Sequence, residues 1–266
     1  MRKRKKQQKR VTILVAGAGI ALCLTIALIA TINIARIQLD YNNSAKEYAD
    51  LRAFAPVEAS VAPAGSSDAP GASGAYASLG QAEGETLQAL ESEKVKSLSE
   101  INADYTAWLR IPGTKVDYPV VFPPNNEKYL KTGFRGTANP QGTLFVDVRN
   151  QQAFGGLHAI IYGHNSQNGE MFGALQSFMH GDYLADHQRL ELTLKDGTCL
   201  NFKVVAVWKT SVSDKVFTLY GADDEAIRAY FGSVSVLADA RKYLTLSTCT
   251  SGGSDEERLL LHAVLE

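Results

Sequence analysis

The first patterned stretch of the chain is a run of 25 positions without a charge, Val11–Ala35, VTILVAGAGIALCLTIALIATINIA. At about 1.5 Å of rise per residue, a helix of this length is roughly 37 Å long, enough to cross a hydrocarbon core of about 30 Å with some tilt. The run is too long for the apolar part of a cleaved signal. Asn33, Arg36 and Gln38 also stand where a small-residue cleavage site would be needed. The pattern predicts an uncleaved transmembrane signal-anchor over 11–35, preceded by a basic tail over 1–10.

Beyond the span, Ile37–Phe54 mixes apolar and charged positions. Ala55–Gly84 is rich in Ala, Gly, Ser and Pro and lacks the apolar content to bury a core. Residues 36–84 are therefore expected to form a stalk and flexible linker. Periodicity returns at Glu85, where Leu87, Leu90, Val95 and Leu98 recur at roughly helical spacing and predict one amphipathic helix. After Asn102 the texture changes to short β-type runs divided by turn signals.

Eight strands are predicted, at Trp108–Ile111, Val116–Val121, Gly142–Asp147, His158–Gly163, Leu190–Leu194, Leu200–Val212, Leu244–Ser247 and Leu259–Leu265. Pro112-Gly113, Pro123-Pro124, Asn139-Pro140, Asp196-Gly197 and Gly252-Gly253 punctuate them. Helical patches fit at Glu170–Phe178 and Asp223–Phe231. So many short strands without regular β-α alternation predict a mainly β domain over 85–266, a closed barrel or a sandwich with helices on its connections.

Charge sharpens the picture. The chain has 27 basic and 28 acidic residues, but seven of the basic ones lie within the first ten positions. The remainder carries 20 basic against 28 acidic residues, a net of −8 that excludes phosphate-backbone binding as its main business. Basic residues ahead of a span hold that end in the cytoplasm, so everything after Arg36 is expected outside the cell. Only Cys199 and Cys249 fall in that outer part, too few for a disulfide framework. A thiol kept in an extracytoplasmic domain is worth inspecting as a nucleophile.

Cys249 directly follows an apolar run in YLTLSTCTSGGSDEERLLLHAVL, flanked by Thr248 and Thr250 rather than by core residues. A thiol of ordinary pKa, about 8.5, is only a few per cent ionised at neutral pH and needs a base or a cation within reach. Five histidines compete for that role. His164 closes the run HAIIYGH at a strand-to-loop rim, and His158 begins the same run. His180 and His187 lie in helix-and-loop sequence, while His262, inside the last strand, reads as a packed or supporting imidazole. Acyl transfer also needs a group for the developing oxyanion. A hairpin through Thr250–Glu257 returns Arg258 beside Cys249, although a surface pairing of Arg258 with Glu256 or Glu257 fits the same spacing. Asp147, Asp117 and Asp255 are each placed to orient a histidine, and spacing does not choose among them. No metal-ligand or nucleotide motif is present in the sequence, so no cofactor is expected.

TLSTC (Thr245–Cys249), YGHN (Tyr162–Asn165) and an arginine opening the last strand together resemble a sortase. NADYTAWLRIPGTKVDYPVV (Asn102–Val121), GTLFVD (Gly142–Asp147) and MFGAL narrow the resemblance to class B sortases, and it extends from about Glu85 to Glu266. The resemblance implies an eight-stranded closed sortase-type barrel with an N-terminal helix and a helix in the connection before the cysteine strand. It implies a cysteine transpeptidase that cleaves the C-terminal sorting signal of secreted proteins through a thioacyl intermediate on Cys249. The acyl group would pass to an amine of a peptidoglycan precursor or a pilin. His164 would act as general acid and base, and Arg258 would position substrate and stabilise the oxyanion. Ser247 and Thr248 would line the substrate groove. The Gly/Ser-rich loop between Cys249 and Arg258 departs from the bulkier loops of many relatives, which bears on substrate preference. A tethered thiol hydrolase and a non-catalytic surface domain are the competing classes.

Overall fold

Successive side chains of a strand point to opposite faces, so each strand presents one set of alternate residues to a core. In the computed structural model, all eight expected segments form strands. The structure describes residues 2–56, 93–94, 96–150, 152–236, 239–250 and 256–266. The chain divides into two units, Met1–Asn43 and Ser44–Glu266. Helix α1 (Arg2–Leu51) supplies the first. The stretch Leu22–Phe54 is long and apolar enough to cross a membrane, with a mean hydropathy of 1.8 in its most apolar window and none of that window buried.

The second unit is built on β1 (Tyr105–Arg110), β2 (Asp117–Val121), β3 (Leu144–Val146), β4 (His158–Tyr162), β5 (Arg189–Leu194), β6 (Cys199–Ser211), β7 (Tyr243–Cys249) and β8 (Glu257–Leu265). They close into a barrel in the order β1-β2-β3-β4-β7-β8-β6-β5, with β5 pairing back to β1. Closure leaves no open sheet edge. Two contacts are parallel, β2–β3 and β4–β7, and the other strand pairs are antiparallel. Alternate residues fill the interior: Leu109, Val120, Leu144, Ile161, Leu192, Val204, Leu246 and Leu261 are fully buried there.

A second apolar layer lies outside the barrel. The connection between β6 and β7 folds as α4 (Asp224–Ser233), started by the Asp223 carboxylate accepting from Ala226 N–H at 2.8 Å. Ile227, Tyr230 and Phe231 of this segment pack over Tyr243 of β7 and over Leu260 and Val264 of β8. The expected helix at Glu170–Phe178 is a 3-10 helix over Phe172–Met179. Its buried residues, Phe172, Leu175 and Phe178, are spaced by three, the period that aligns them on one face of a 3-10 turn. A short α3 (Gly181–Asp186) follows it.

Residues 93–94 and 96–101 are helical and form α2, with Leu98 fully buried. The preceding helical register, 85–92, and the Ala/Gly/Ser/Pro stretch 57–84 lie outside the described residues. Ser44–Pro56, counted from composition with the stalk, belong to the same compact unit as the barrel. Ser44, Tyr48 and Leu51 recur on one helical face and are buried. The Tyr48 hydroxyl donates to the Gly142 carbonyl. Glu47 accepts from Arg135 N–H at 2.9 Å and from Asn139 Nδ2 at 3.0 Å.

Beneath α4, two histidines share one hydroxyl. Thr245 Oγ1 is 2.8 Å from His158 Nε2 and 2.9 Å from His262 Nδ1, among Phe231, Tyr243 and Trp208. Burial pushes the pKa of both imidazoles down to about 3. The unfolded chain takes up these protons near pH 6.5 and the folded chain does not, so stability is complete above about pH 6.5 and falls as pH drops toward 3. Melting temperatures followed by near-UV circular dichroism should therefore stay level above about pH 7 and decrease steadily between about pH 6.5 and pH 5. Each imidazole should contribute about 1.4 kcal/mol per pH unit below its unfolded pKa. A flat profile over that interval would contradict the neutral, buried pair.

Candidate active site

Three neighbouring strands end together. β4 and β7 run parallel with Tyr162 opposite Ser247, and Gly163 N–H donates to the Ser247 carbonyl at 3.2 Å. His164 lies two residues past Tyr162, and Cys249 lies two residues past Ser247. Register thus brings the two backbones to the same level on adjacent strands. β7 and β8 run antiparallel with Cys249 opposite Arg258. At about 4.8 Å per strand, His164, Cys249 and Arg258 occupy successive positions across roughly 10 Å of sheet.

Gly163 is required between the tyrosine and the histidine. A Cβ at this position would come within 2.4 Å of Leu144 Cδ2 and 2.7 Å of Phe172 Cδ2. This close approach lets the chain leave β4 against the barrel wall. The loop after His164 is held in turn by Phe172 N–H donating to the His164 carbonyl at 3.0 Å and by a bridge between Asn165 and Met171.

His164 Nε2 lies 2.6 Å from the Leu130 carbonyl oxygen. A carbonyl only accepts, so Nε2 carries a hydrogen and Nδ1 is left as the nitrogen that gains or loses a proton. Of the three aspartates that spacing left open, none directly orients this ring among the described residues. Asp147 is bonded to Asn126, Arg149 and Tyr162. Asp117 accepts from Trp108 Nε1 and Arg110 Nε, and Asp255 lies outside the described residues, as do Gly252 and Gly253.

A groove of about 310 Å³ opens at these strand ends. His164, Ser247, Thr248 and Arg258 all line it, with Gly163 and Tyr162 of the YGHN segment and Asn126, Leu130, Thr143 and Phe145 on the facing wall. Arg258 is half-buried, and its Nη1 donates to the Glu257 carbonyl at 3.0 Å. The Glu257 carboxylate instead accepts from the Thr250 hydroxyl. Ser247 and Thr248 are 1% and 3% exposed, yet their hydroxyl oxygens have no hydrogen-bond partner among the described residues. Buried hydroxyls facing a groove without a partner carry a desolvation cost that an incoming polar ligand relieves.

The remaining histidines are placed elsewhere. His158 and His262 belong to the buried layer under α4. His180 and His187 flank α3, where His187 stacks on Tyr183 with ring centres 4.0 Å apart. Sequence reasoning did not reach the facing wall. The Leu130 carbonyl carries no residue-type signal, because any residue offers the same acceptor. Asn126 did have one, the Pro123-Pro124 turn that brings a polar loop back to the barrel end.

A sortase domain model matches residues 109–266. Sortase B of Listeria monocytogenes is 34% identical over 95 residues, covering 36% of this chain and 39% of that protein. Sortase B of Staphylococcus aureus is 26% identical over 176 residues, 62% of this chain and 71% of that protein. Among solved structures, a mutant form of Clostridium perfringens sortase B superposes with a TM-score of 0.67 at 21% identity, over 84% of this chain and 98% of that one. A Staphylococcus aureus sortase B–substrate complex gives 0.59 at 24% identity, over 73% and 99%. The chain belongs to the sortase family of cysteine transpeptidases. The relatives and solved structures it resembles are sortases B.

If the two orphan hydroxyls serve a ligand, removing one should separate stability from activity. Ser247→Ala should leave the melting temperature unchanged or raised, while kcat/KM falls about tenfold, the worth of one hydrogen bond. A matched loss of stability with unchanged kcat/KM would place Ser247 in the packing and not in the groove chemistry.

Proposed function

We propose that this protein is a membrane-tethered transpeptidase that cleaves the C-terminal sorting signal of secreted proteins and transfers the acyl part to an amine. The observation that carries this reading is the register that aligns His164, Cys249 and Arg258 across three adjacent strands beside one groove. In this reading the Cys249 thiolate attacks the scissile carbonyl, and the electron pair moves onto oxygen. Arg258 stabilises that oxyanion with its planar fork of donors. The tetrahedral species collapses to a thioester as His164 Nδ1–H gives its proton to the departing amine. An incoming amine, from a peptidoglycan precursor or a pilin, then loses its proton to Nδ1 and attacks the thioester, which restores the thiolate. Ser247 and Thr248 hold the substrate backbone or side chains in the groove.

The uncharged run 11–35 and the seven basic residues before it support a single-pass anchor with a cytoplasmic N-terminus and an extracytoplasmic catalytic domain. That arrangement suits substrates that emerge from secretion still attached to the membrane. A Staphylococcus aureus sortase B–substrate complex shares this fold, which supports a substrate of the same class for this chain.

Incubating the chain with a sorting-signal peptide and a primary amine such as hydroxylamine or triglycine tests transfer directly. The product should be the peptide fragment extended by the amine; a product limited to the free acid would instead indicate a hydrolase. His164→Ala should lower turnover by about 10²–10⁴-fold. Arg258→Lys keeps the charge and loses the fork, so it should also impair kcat. Wild-type kcat in Arg258→Lys would remove the oxyanion role.

A further inference from the structure

Two side chains that reach the groove from different parts of the chain end on one carboxylate. Asp147, just beyond β3, is 1% exposed. Its Oδ1 accepts from Asn126 Nδ2 at 3.0 Å, and its Oδ2 accepts from the Tyr162 hydroxyl at 2.9 Å. Arg149 closes the other side, with Nε on Oδ1 at 2.9 Å, Nη2 on Oδ2 at 2.6 Å and its backbone N–H on Oδ1 at 3.0 Å. Bidentate pairing of this kind is both strong and directional.

The two groove-side donors lead to the histidine by separate routes. Tyr162 precedes His164 by two residues on β4. Asn126 precedes Leu130, the residue whose carbonyl takes the Nε2 hydrogen, by four. The amide of Asn126 is fixed at both ends, because its Oδ1 also accepts from Val148 N–H at 2.8 Å. The imidazole and its acceptor therefore hang from the same anionic centre. His164 is not among the donors to Asp147, so any influence on the ring is exerted through its neighbours.

We propose that Asp147 is a positioning residue of the transpeptidase: by tying Tyr162 and Asn126 to one carboxylate, it fixes the separation of His164 from the Leu130 carbonyl. This holds the ring in its Nε2–H form and reserves Nδ1 for proton transfer. The proposal rests on the reading of His164 as the acid–base group. The carboxylate stays charged across the working pH range. Burial alone would raise its pKa, but the Arg149, Asn126 and Tyr162 donors outweigh burial and hold it at about 2. The Arg149 guanidinium in turn lies 4.1 Å from the ring centre of Tyr220, which ties the β6–β7 connection to the same hub.

The test uses the full chain in detergent micelles, labelled with 15N-histidine, alongside steady-state cleavage of a sorting-signal peptide. In the wild type, the His164 resonances, assigned by their loss in His164→Gln, should report the Nε2–H tautomer alone. Asp147→Asn and Asn126→Ala should each introduce the second tautomer. Each should also lower kcat about 10–100-fold, the scale of a misplacement near 1 Å, with KM changed less than about twofold. If Asp147→Asn loses its near-UV signal, Asn126→Ala, on a half-buried turn, decides by itself. A folded variant with the wild-type tautomer and wild-type kcat, or with a change confined to KM, would overturn the positioning role. Full turnover by Cys249→Ala would overturn the transpeptidase reading instead, and the tautomer comparison would still stand on its own.

Discussion

Strand register is the constraint on which the rest of this molecule depends. The parallel contact between β4 and β7 sets His164 level with Cys249, and the antiparallel contact between β7 and β8 sets Cys249 against Arg258. A slip of one residue in either ladder would turn every side chain of a strand to the opposite face. Such a slip would drive Leu244, Leu246, Leu259 and Leu261 out of the barrel interior, so burial of the core and alignment of the site are enforced by the same pairing. Cys249 and Arg258 sit on paired strands and His164 lies two residues beyond the end of β4, so the proposed arrangement follows from the ladders themselves.

The walls of the groove are held from outside the barrel as well. Thr143 and Leu130 line it, and the segment between them is clamped by the end of α1. Tyr48 bonds the Gly142 carbonyl, and Glu47 bonds Arg135 and Asn139. Gly142 itself has φ +58, and a Cβ there would lie 2.3 Å from the Tyr129 carbonyl oxygen, so the turn entering β3 demands glycine. α4 and its aromatic layer bury outward-facing residues of β7 and β8, Tyr243, Leu260 and Val264. The polar pair His158 and His262 is accommodated there because Thr245 has one hydrogen to give and lone pairs to accept another.

Much of this was legible in the sequence because the strands are short apolar-rich runs bounded by turn residues. All eight strands were found within a few residues of their observed ends, and the short span from Cys249 to Arg258 implied their cross-strand pairing. The position of His164 at a rim followed from the abrupt change from HAIIYGH to a polar loop. Other features leave no such trace. The acceptor for His164 is a main-chain carbonyl, and the choice among Asp147, Asp117 and Asp255 depends on tertiary neighbours. The buried face Ser44, Tyr48 and Leu51 is hard to read because it continues the long helix of the apolar span. The 3-10 form of Phe172–Met179 could have been suspected from its apolar spacing of three.

The central claim is that one sulfur, one imidazole and one guanidinium act on the same carbonyl. A sorting-signal analogue with a thiol-reactive carbonyl surrogate, trapped on the enzyme and solved crystallographically, tests it most directly. The account predicts attachment at Cys249 alone, sparing the exposed thiol of Cys199. The surrogate oxygen should lie about 2.7–3.1 Å from the Arg258 guanidinium, with the His164 ring facing the leaving side. Attachment elsewhere, or an oxygen turned away from Arg258 in a fully occupied complex, would contradict it.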